Sequence, residues 1–378
     1  MRLTYRQLNR TTLARQLLLR REPLAMADAV TRVVALQAQS AASPYLALAA
    51  RVLRFDPAEL DAAFAAGTVV RASLMRVTLH AVTATDYPLF YRAMQEVLRA
   101  ARLVDPHRVR LGDRFVHPDE LVAAIAGFAA EPRTGTELQD RLAELAGGRD
   151  QRLWRAVRTF ARLHHVPDGG PWSFTGSTTL VAAPVPAGEP ADSATSVAGL
   201  LGRYLQGFGP ASARDCAQYT MLPMSAVRAA LADLGDRLVE HEGPGGEPLV
   251  DVADGQLADA DVEAPARLLG MWDSTLLAYA DRTRVLPAEY RSWVIRRNGD
   301  VLPTLLVDGR VAGVWRPVAD GIEATAFHRL GRSAWAGLAA EAAVVHALLA
   351  DREPDVYRRH GHWWAKELPS AQRRVLSS

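Results

Sequence analysis

The sequence predicts a mainly α fold with small β wings, an α+β chain built from repeated units. Three observations carry that reading. Between residues 119 and 182, and again between 196 and 252, three helical stretches are followed by a β-like stretch. The segment before residue 103 fits the same order with additions. A single tight-turn hairpin near residue 308 then sits in a region of different composition.

Taken in order, Tyr5 to Leu19 is an amphipathic helix, Ala25 to Leu36 a second, Pro44 to Val52 a third and Pro57 to Ala66 a fourth. Pro44 disfavours helical geometry at Ser43 and opens the helix that follows. Val69 to Ser73 and Arg76 to Val82 alternate like paired strands, and Asp86 to Leu103 is a longer helix.

The second unit reads as a helix from Asp119 to Ala130, another after Thr134-Gly135-Thr136, a third from Asp150 to Leu163, then a β-like stretch from Pro171-Trp172-Ser173-Phe174-Thr175-Gly176 to Leu180-Val181. The third unit is clearer. Val197 to Phe208 is a helix, Ser212 caps another through Tyr219, and Ser225 to Leu234 follows Pro223. Leu238 to Glu242 and Leu249 to Val252 then flank Gly243-Pro244-Gly245-Gly246, a hairpin with a glycine-rich tip. Three helices followed by a hairpin is the winged-helix plan, here in three tandem copies.

Residues 265–378 differ. Pro303 to Arg316 is a hairpin, because Asp308-Gly309 between two β-branched runs favours a tight primed turn. Ser333 to Ala350 reads as an alanine-rich helix closing the chain. The expected division is 1–115, 116–190 and 191–264 for the three winged helices, with 265–378 as the β-hairpin and C-terminal helical region.

At 378 residues, 49% hydrophobic and 23% charged, the composition is globular and long enough for two to four domains. One cysteine, Cys216, excludes an internal disulfide and zinc-finger spacing. The start lacks a signal-peptide core, and no run reaches the roughly 18 apolar residues that span a bilayer, so a cytoplasmic protein without membrane contact is expected; a monomer is expected because one chain already offers three packed units. Net charge is only +2, but it is unevenly spread. Arg2, Arg6, Arg10, Arg15, Arg20 and Arg21 face no acid within residues 2–21, whereas residues 233–263 carry ten acids against Arg237. A polyanion prefers the first surface.

The third helix of the second unit places Arg152, Arg155, Arg158 and Arg162 at spacings of three and four, with Leu153, Trp154, Val157, Phe160 and Leu163 toward the core. One face can therefore meet phosphates, although such a stripe is also what a solvated helix face looks like. The corresponding helix of the third unit offers only Arg228, and its wing is acidic.

The triplet Gln37-Ala38-Gln39 sits where the helical run Val30 to Leu36 meets Ser40-Ala41-Ala42-Ser43-Pro44. On a helix, positions i and i+2 are about 200° apart. Both amides can serve one site only if the backbone leaves helical geometry there.

Winged-helix repeats, Leu36-Gln37-Ala38-Gln39-Ser40, Trp272-Asp273-Ser274-Thr275-Leu276-Leu277 running into Asp281-Arg282-Thr283-Arg284, and the Val307-Asp308-Gly309-Arg310 hairpin together resemble the AlkZ and YcaQ group of bacterial DNA glycosylases. The resemblance covers essentially the whole chain. It implies a C-shaped arrangement of three winged helices, a Gln-apolar-Gln catalytic motif at Gln37 and Gln39, and excision of N7-alkylated guanine with unhooking of interstrand crosslinks, an activity suited to antibiotic self-resistance. The implied partner is double-stranded DNA carrying alkylated or crosslinked guanine, and no cofactor is implied. A β-hairpin beside the active site is also implied, for which Asp308, Gly309 and Arg310 are the candidates. Ser43, Tyr45, Arg282, Arg296 and Arg297 complete the candidate DNA contacts.

The chemistry agrees with a neutral motif. Glycosidases use carboxyl groups to help the leaving group and to stabilise an oxocarbenium-like sugar. A purine alkylated at N7 is already cationic and departs neutral, so no general acid is needed. Two carboxamides, each with an acceptor oxygen and a donor nitrogen, suffice to hold a water against the anomeric carbon. Lyase chemistry needs an amine, and the only lysine, Lys366, lies far in sequence from the glutamines, so simple hydrolysis is expected. The alternative is a winged-helix regulator that binds DNA without chemistry; it would leave no abasic site.

His164-His165, His360-x-His362 and Asp259-Ala260-Asp261 lack partners at metal-ligand spacing. Asp273 and Asp281 are candidate electrostatic stabilisers, though capping or pairing with Arg282 is the commoner role for such residues.

Overall fold

In the computed structural model, which describes residues 1–111, 113–174, 176–185, 192–366 and 368–376, helix α1 (Tyr5–Arg15) starts at Thr4, whose hydroxyl accepts the Gln7 N–H. It stops short of Leu19, because Leu17 adopts a left-handed backbone, φ 57°. Helix α2 (Met26–Val33) likewise ends before Leu36: Val34 turns to φ 75° and the chain becomes extended as strand β1 (Leu36–Gln37). Helices α3 (Ser43–Ala49) and α4 (Pro57–Ala65) follow, then strands β2 (Val69–Ser73) and β3 (Leu79–Thr83). The sheet order is β1-β3-β2, all antiparallel, which is a winged helix with α2, α3 and α4 as its three helices.

Helix α5 (Tyr87–Ala100) and a small hairpin of β4 (Val109–Leu111) and β5 (Arg114–Val116) lead to the second unit. It comprises α6 (Pro118–Phe128), β6 (Arg133–Thr134), α7 (Gly135–Ala146), α8 (Gln151–Phe160), β7 (Leu163–His165) and β8 (Thr179–Ala182), with sheet order β6-β8-β7. The Thr134 side chain and Glu137 form a capping box that starts α7, and Gly147 in the left-handed region ends it. Leu163, expected at the end of a helix, instead opens the wing. The expected β-like stretch at 171–174 is a turn; Thr175 and the 190/191 boundary lie outside the described residues.

The third unit has α9 (Ser193–Phe208), α10 (Ala213–Thr220), α11 (Met224–Leu234), β9 (Leu238–Glu242) and β10 (Pro248–Val252). Ser212 and Asp215 cap α10 reciprocally. Ala211 bridges to Val250 where the other units have their first strand. The repeat legible only as element order is thus a repeat of strand topology.

Beyond it, β11 (Arg267–Leu269), the short α12 (Arg291–Val294), β12 (Thr304–Val307), β13 (Arg310–Val318), β14 (Gly321–Ala326), α13 (Arg332–Arg352) and β15 (Gln372–Leu376) complete the chain. β11 to β15 form one antiparallel sheet in sequence order. Asp308 (φ 47°) and Gly309 (φ 76°) form the primed turn that Asp-Gly favours. Helix α13 does not close the chain, because β15 returns to pair with β14. By length and composition α13 is apolar enough to cross a bilayer. Here its Trp335, Leu338, Ala342, Val345 and Leu349 join the core beside the sheet, and Glu341 pairs with Arg21 and Arg267.

The cores cross the units. One joins residues of α2, α3 and α4 to the five-stranded sheet and α13; the other joins the wing β2–β3 and α5 to the second and third units. Buried two-point ion pairs add to this: Arg15 with Asp251 (2.7 and 2.7 Å), and Arg51 with Asp273 (2.8 and 2.9 Å).

Candidate active site

Val34 decides the geometry of the glutamine triplet. By leaving the helix there, the chain enters β1 with Leu36 opposite Ala81 and Gln37 opposite His80, and the Ala38 N–H donates to Leu79 O at 2.7 Å. Gln37 thus lies on β1 and Gln39 follows in a bend just past its end, so the triplet has left the helical geometry that would set the two side chains about 200° apart. Gln37 is 6% exposed, whereas Gln39, just past the strand, is exposed.

Two arginines from the wing hold the triplet. Arg71 on β2 donates through Nε to Ala38 O at 3.1 Å, and its guanidinium lies 4.8 Å from the centre of the Phe174 ring. Arg76 stands in the turn between β2 and β3, where it (φ 54°) and Val77 (φ 57°) both take left-handed backbone. Its Nη2 donates to Gln37 Oε1 at 2.8 Å and to His80 Nε2 at 3.2 Å; its Nη1 donates to Tyr219 O at 3.2 Å. Gln39 Oε1 accepts only a long bond, 3.4 Å, from the Leu79 N–H.

Electrostatics follow from burial. Desolvation, reinforced by Arg76, pushes the His80 pKa down to about 3, so its ring is neutral. An arginine can only donate, so His80 Nε2 is the acceptor, and the proton sits on Nδ1, 3.1 Å from Thr78 O. Burial also lowers the Arg76 pKa; Tyr219 opposes this and the charge of Arg282 adds to it. Arg282 is lowered by its own burial and by Arg291. No carboxylate is among the groups that shift either one.

Asp273 is spent on structure. It pairs with Arg51 rather than Arg282 and accepts the Thr275 N–H. Asp281 is exposed and accepts the Thr283 N–H.

The remaining candidates divide. Arg152, Arg155 and Arg158 form an exposed face of α8, with Leu153, Trp154, Val157 and Phe160 buried beneath, as the spacing predicts. Arg162 is not on that face: α8 ends first, and Arg162 covers the Tyr91 ring and donates to Pro184 O. Ser43 and Tyr45 are not surface residues. At 3% and 0% exposure they are core, Ser43 against the Tyr357 hydroxyl and Tyr45 bound to Asp61 and Ser173. Arg296 lies over the Trp363 ring, while Arg297 is exposed at the tip of a second small hairpin closed by Ile295 and Val301. The Asp308-Gly309 turn packs on α1: Arg6 and Arg10 pair with Asp308, and Asn9 donates to Gly309 O at 2.8 Å. Arg310 is exposed beside it, lining a cavity of about 420 Å³ with Tyr5, Arg6 and Thr283.

In the first unit the third helix, the one that precedes the wing, is α4. Helix α4 carries Glu59 and Asp61 and no base, and Asp61 is paired with Arg352. His164 packs edge-on against Tyr87, and His360 lies 3.4 Å from Asp300. Among the described residues no three His, Cys, Asp or Glu side chains gather. Arg71, Arg76 and His80 were not singled out from sequence; they come from the wing, and their only sequence signal is arginine and histidine within strand-like alternation.

The fold is three winged helices, a DNA-binding plan, with the Gln-Ala-Gln triplet at the end of the first unit's β1. The family model of AlkZ-like DNA glycosylases matches residues 30–348, and the chain belongs to that family. It is 27% identical over 358 residues to the interstrand DNA cross-link repair glycosylase of Streptomyces sahachiroi, covering 86% of this chain and 91% of that protein. The solved structure of Streptomyces sahachiroi DNA glycosylase AlkZ has the same fold, with a TM-score of 0.77 at 23% identity over 94% of this chain and 99% of that one.

Proposed function

We propose that this protein is a monofunctional DNA glycosylase that hydrolyses the N-glycosidic bond of cationic, N7-alkylated purines and unhooks interstrand crosslinks, leaving abasic sites. The observation that carries the reading is that the Gln37-Ala38-Gln39 triplet leaves helical geometry at the end of β1, with Gln37 bonded to Arg76. Neither amide is a base at neutral pH, so their contribution is to fix a water against C1′. The water oxygen bonds to C1′, the C1′–N9 electron pair returns to the ring, the base leaves neutral and the water proton passes to solvent. Asp273, locked to Arg51, supplies no acid or base, so the lesion's own charge provides the leaving-group activation.

Family membership and the name of the Streptomyces sahachiroi relative support the crosslink substrate. Hydrolysis without lyase chemistry rests on Lys366, whose ammonium lies 4.4 Å over the Trp363 ring. A single chain acting on nucleoid DNA in the cytoplasm, in a C-shaped wrap of winged helices, fits this reading.

The test is excision from a duplex with one N7-methylguanine, scored by alkaline cleavage, with wild type, Gln37→Ala and Gln39→Ala, and then unhooking of a defined crosslink. Loss of product in the variants supports the assignment; wild-type rates in both sink it. Borohydride trapping of an enzyme–DNA adduct would contradict simple hydrolysis.

A further inference from the structure

Arg76 makes more contacts than a wing-tip arginine needs. Two consecutive non-glycine residues, Arg76 and the β-branched Val77, take left-handed backbone there, a strained conformation that persists only when surroundings impose it. The result is that the guanidinium points at the triplet. One Nη2 bridges Gln37 Oε1 and His80 Nε2, and Nη1 caps the C-terminal end of α10 at Tyr219 O, with the Tyr219 ring 5.1 Å away.

This fixes the orientation of the Gln37 amide. A guanidinium has five donors and no acceptor, so the Gln37 atom facing it must be oxygen. Rotating the amide by a half-turn would set NH₂ against N–H and lose the bond. Gln37 Nε2 has no hydrogen-bond partner among the described residues. Gln39 is under no comparable constraint, its oxygen meeting one backbone N–H at 3.4 Å. A cation here opposes the positive charge that develops on the sugar, so its use to catalysis is geometric rather than electrostatic.

We propose that Arg76 is a positioning residue: it locks Gln37 with its oxygen occupied and its amide N–H groups presented to the reacting water, so that Gln37 serves as a donor. The inference rests on the reading of Gln37 as a water-positioning group. It specifies which end of the amide acts and what holds it.

The test is a double-mutant cycle on the full chain, read by single-turnover excision from an N7-methylguanine duplex and by affinity for the undamaged duplex. Arg76→Met is expected to slow excision by about 100-fold, the scale of losing near-attack geometry, while affinity stays at the wild-type value. Arg76→Lys, with one compact donor, is expected to recover part of the rate. In a Gln37→Ala background, Arg76→Met is expected to change the rate by no more than about twofold, because a residue that acts through another has nothing left to position.

Multiplicative losses in the double variant, or a wild-type rate in Arg76→Met beside an impaired Gln37→Ala, overturn the role of Arg76 alone. A wild-type rate in Gln37→Ala removes the underlying reading, and the proposal with it. Gln37→Glu guards against a fold defect in Arg76→Met: its carboxylate pairs with Arg76 and retains the fold but has no N–H to give. It is expected to unfold no earlier than wild type in urea and to be as slow as Gln37→Ala; wild-type excision by Gln37→Glu refutes the donor role.

Discussion

Arg51 and Asp273, far apart in sequence, meet in a two-point ion pair that is almost wholly shielded from water, at 2.8 and 2.9 Å. Arg51 also donates to Ala47 O and Thr275 Oγ1, so the pair ties the end of α3 to the segment that runs beneath β1, where Ser274 Oγ donates to Ala35 O. Burial alone would raise the Asp273 pKa; the Arg51 charge and the bonds from Arg51 and Thr275 outweigh it and hold the carboxyl below its ordinary value. Removing one partner leaves a buried charge unpaired, so Asp273→Ala is expected to cost about 3–5 kcal/mol in urea unfolding. A depressed carboxyl pKa stabilises the fold above the unfolded value near about 4 and ceases to do so as pH falls through the folded value. Wild type should therefore lose more stability than Asp273→Asn between pH 5 and the acid limit; identical acid profiles would refute the pairing.

Buried His80 and His164 and half-buried His165 predict a second pH effect, of the same sign but at higher pH. Burial, with nearby arginines, lowers His80 to about 3, His165 to about 3 and His164 to about 4. Below the unfolded value of about 6.5 the unfolded chain binds protons that the native one refuses, so stability falls as pH drops through that value and is level above it. His164 Nε2 is buried without a partner, so His164→Leu removes one titration without losing a bond at that atom. The melting temperature of this variant should decline less steeply than that of wild type between pH 6.5 and 4.

The excision rate itself should be level from pH 6 to 9. Neither glutamine titrates, and His80, the imidazole bonded to the Arg76 guanidinium, stays neutral down to about 3. A limb near pH 6.5 in the single-turnover profile would mean that a histidine takes part in the chemistry.

What was legible in the sequence is what local chemistry decides. Ser212 with Asp215 caps α10, Thr134 opens α7, and Asp308-Gly309 makes a primed turn, because each requires only neighbours within a few residues. The conformation of Val34 was not legible. Nothing in Thr31-Arg32-Val33-Val34-Ala35 signals a helix end, and a β-branched residue at φ 75° is imposed from outside. The side chain of Val34 packs in the second core, with residues of the wing and of the third unit. Ser43 and Tyr45 misled for the same reason. They were candidate DNA contacts, but Tyr45 is satisfied by Asp61 and by Ser173 from the second unit, within a cluster of Phe64 and Trp172. The two glutamines were visible as a motif, while the arginines and histidine around them required the register of β1 on β3.

The exposed face of α8 predicts a salt dependence. Arg152, Arg155 and Arg158 are free to meet phosphates, whereas Arg162 is engaged over Tyr91 and at Pro184 O. Each of Arg152→Gln, Arg155→Gln and Arg158→Gln should lower the slope of log K against log salt by about 0.9 and weaken damaged and undamaged duplex equally. Unchanged slopes in all three would remove the second unit from the DNA surface.

The Asp308-Gly309 turn offers the sharpest contrast between packing and DNA contact. A Cβ on Gly309 would come within 2.5 Å of Asn9 Oδ1 and 2.7 Å of Arg10 Nη1, in a left-handed backbone that resists side chains. Asp308 neutralises Arg10, which is 1% exposed and also donates to Asn9 Oδ1 and Val262 O. The turn is therefore a brace between the five-stranded sheet and α1. Gly309→Ala should lower stability by about 1–3 kcal/mol from backbone strain, with the clash against α1 in addition. Excision rate and DNA affinity, measured where the variant is fully folded, should match wild type for both Gly309→Ala and Asp308→Asn. A loss of affinity in a stably folded variant would instead place this hairpin against the duplex.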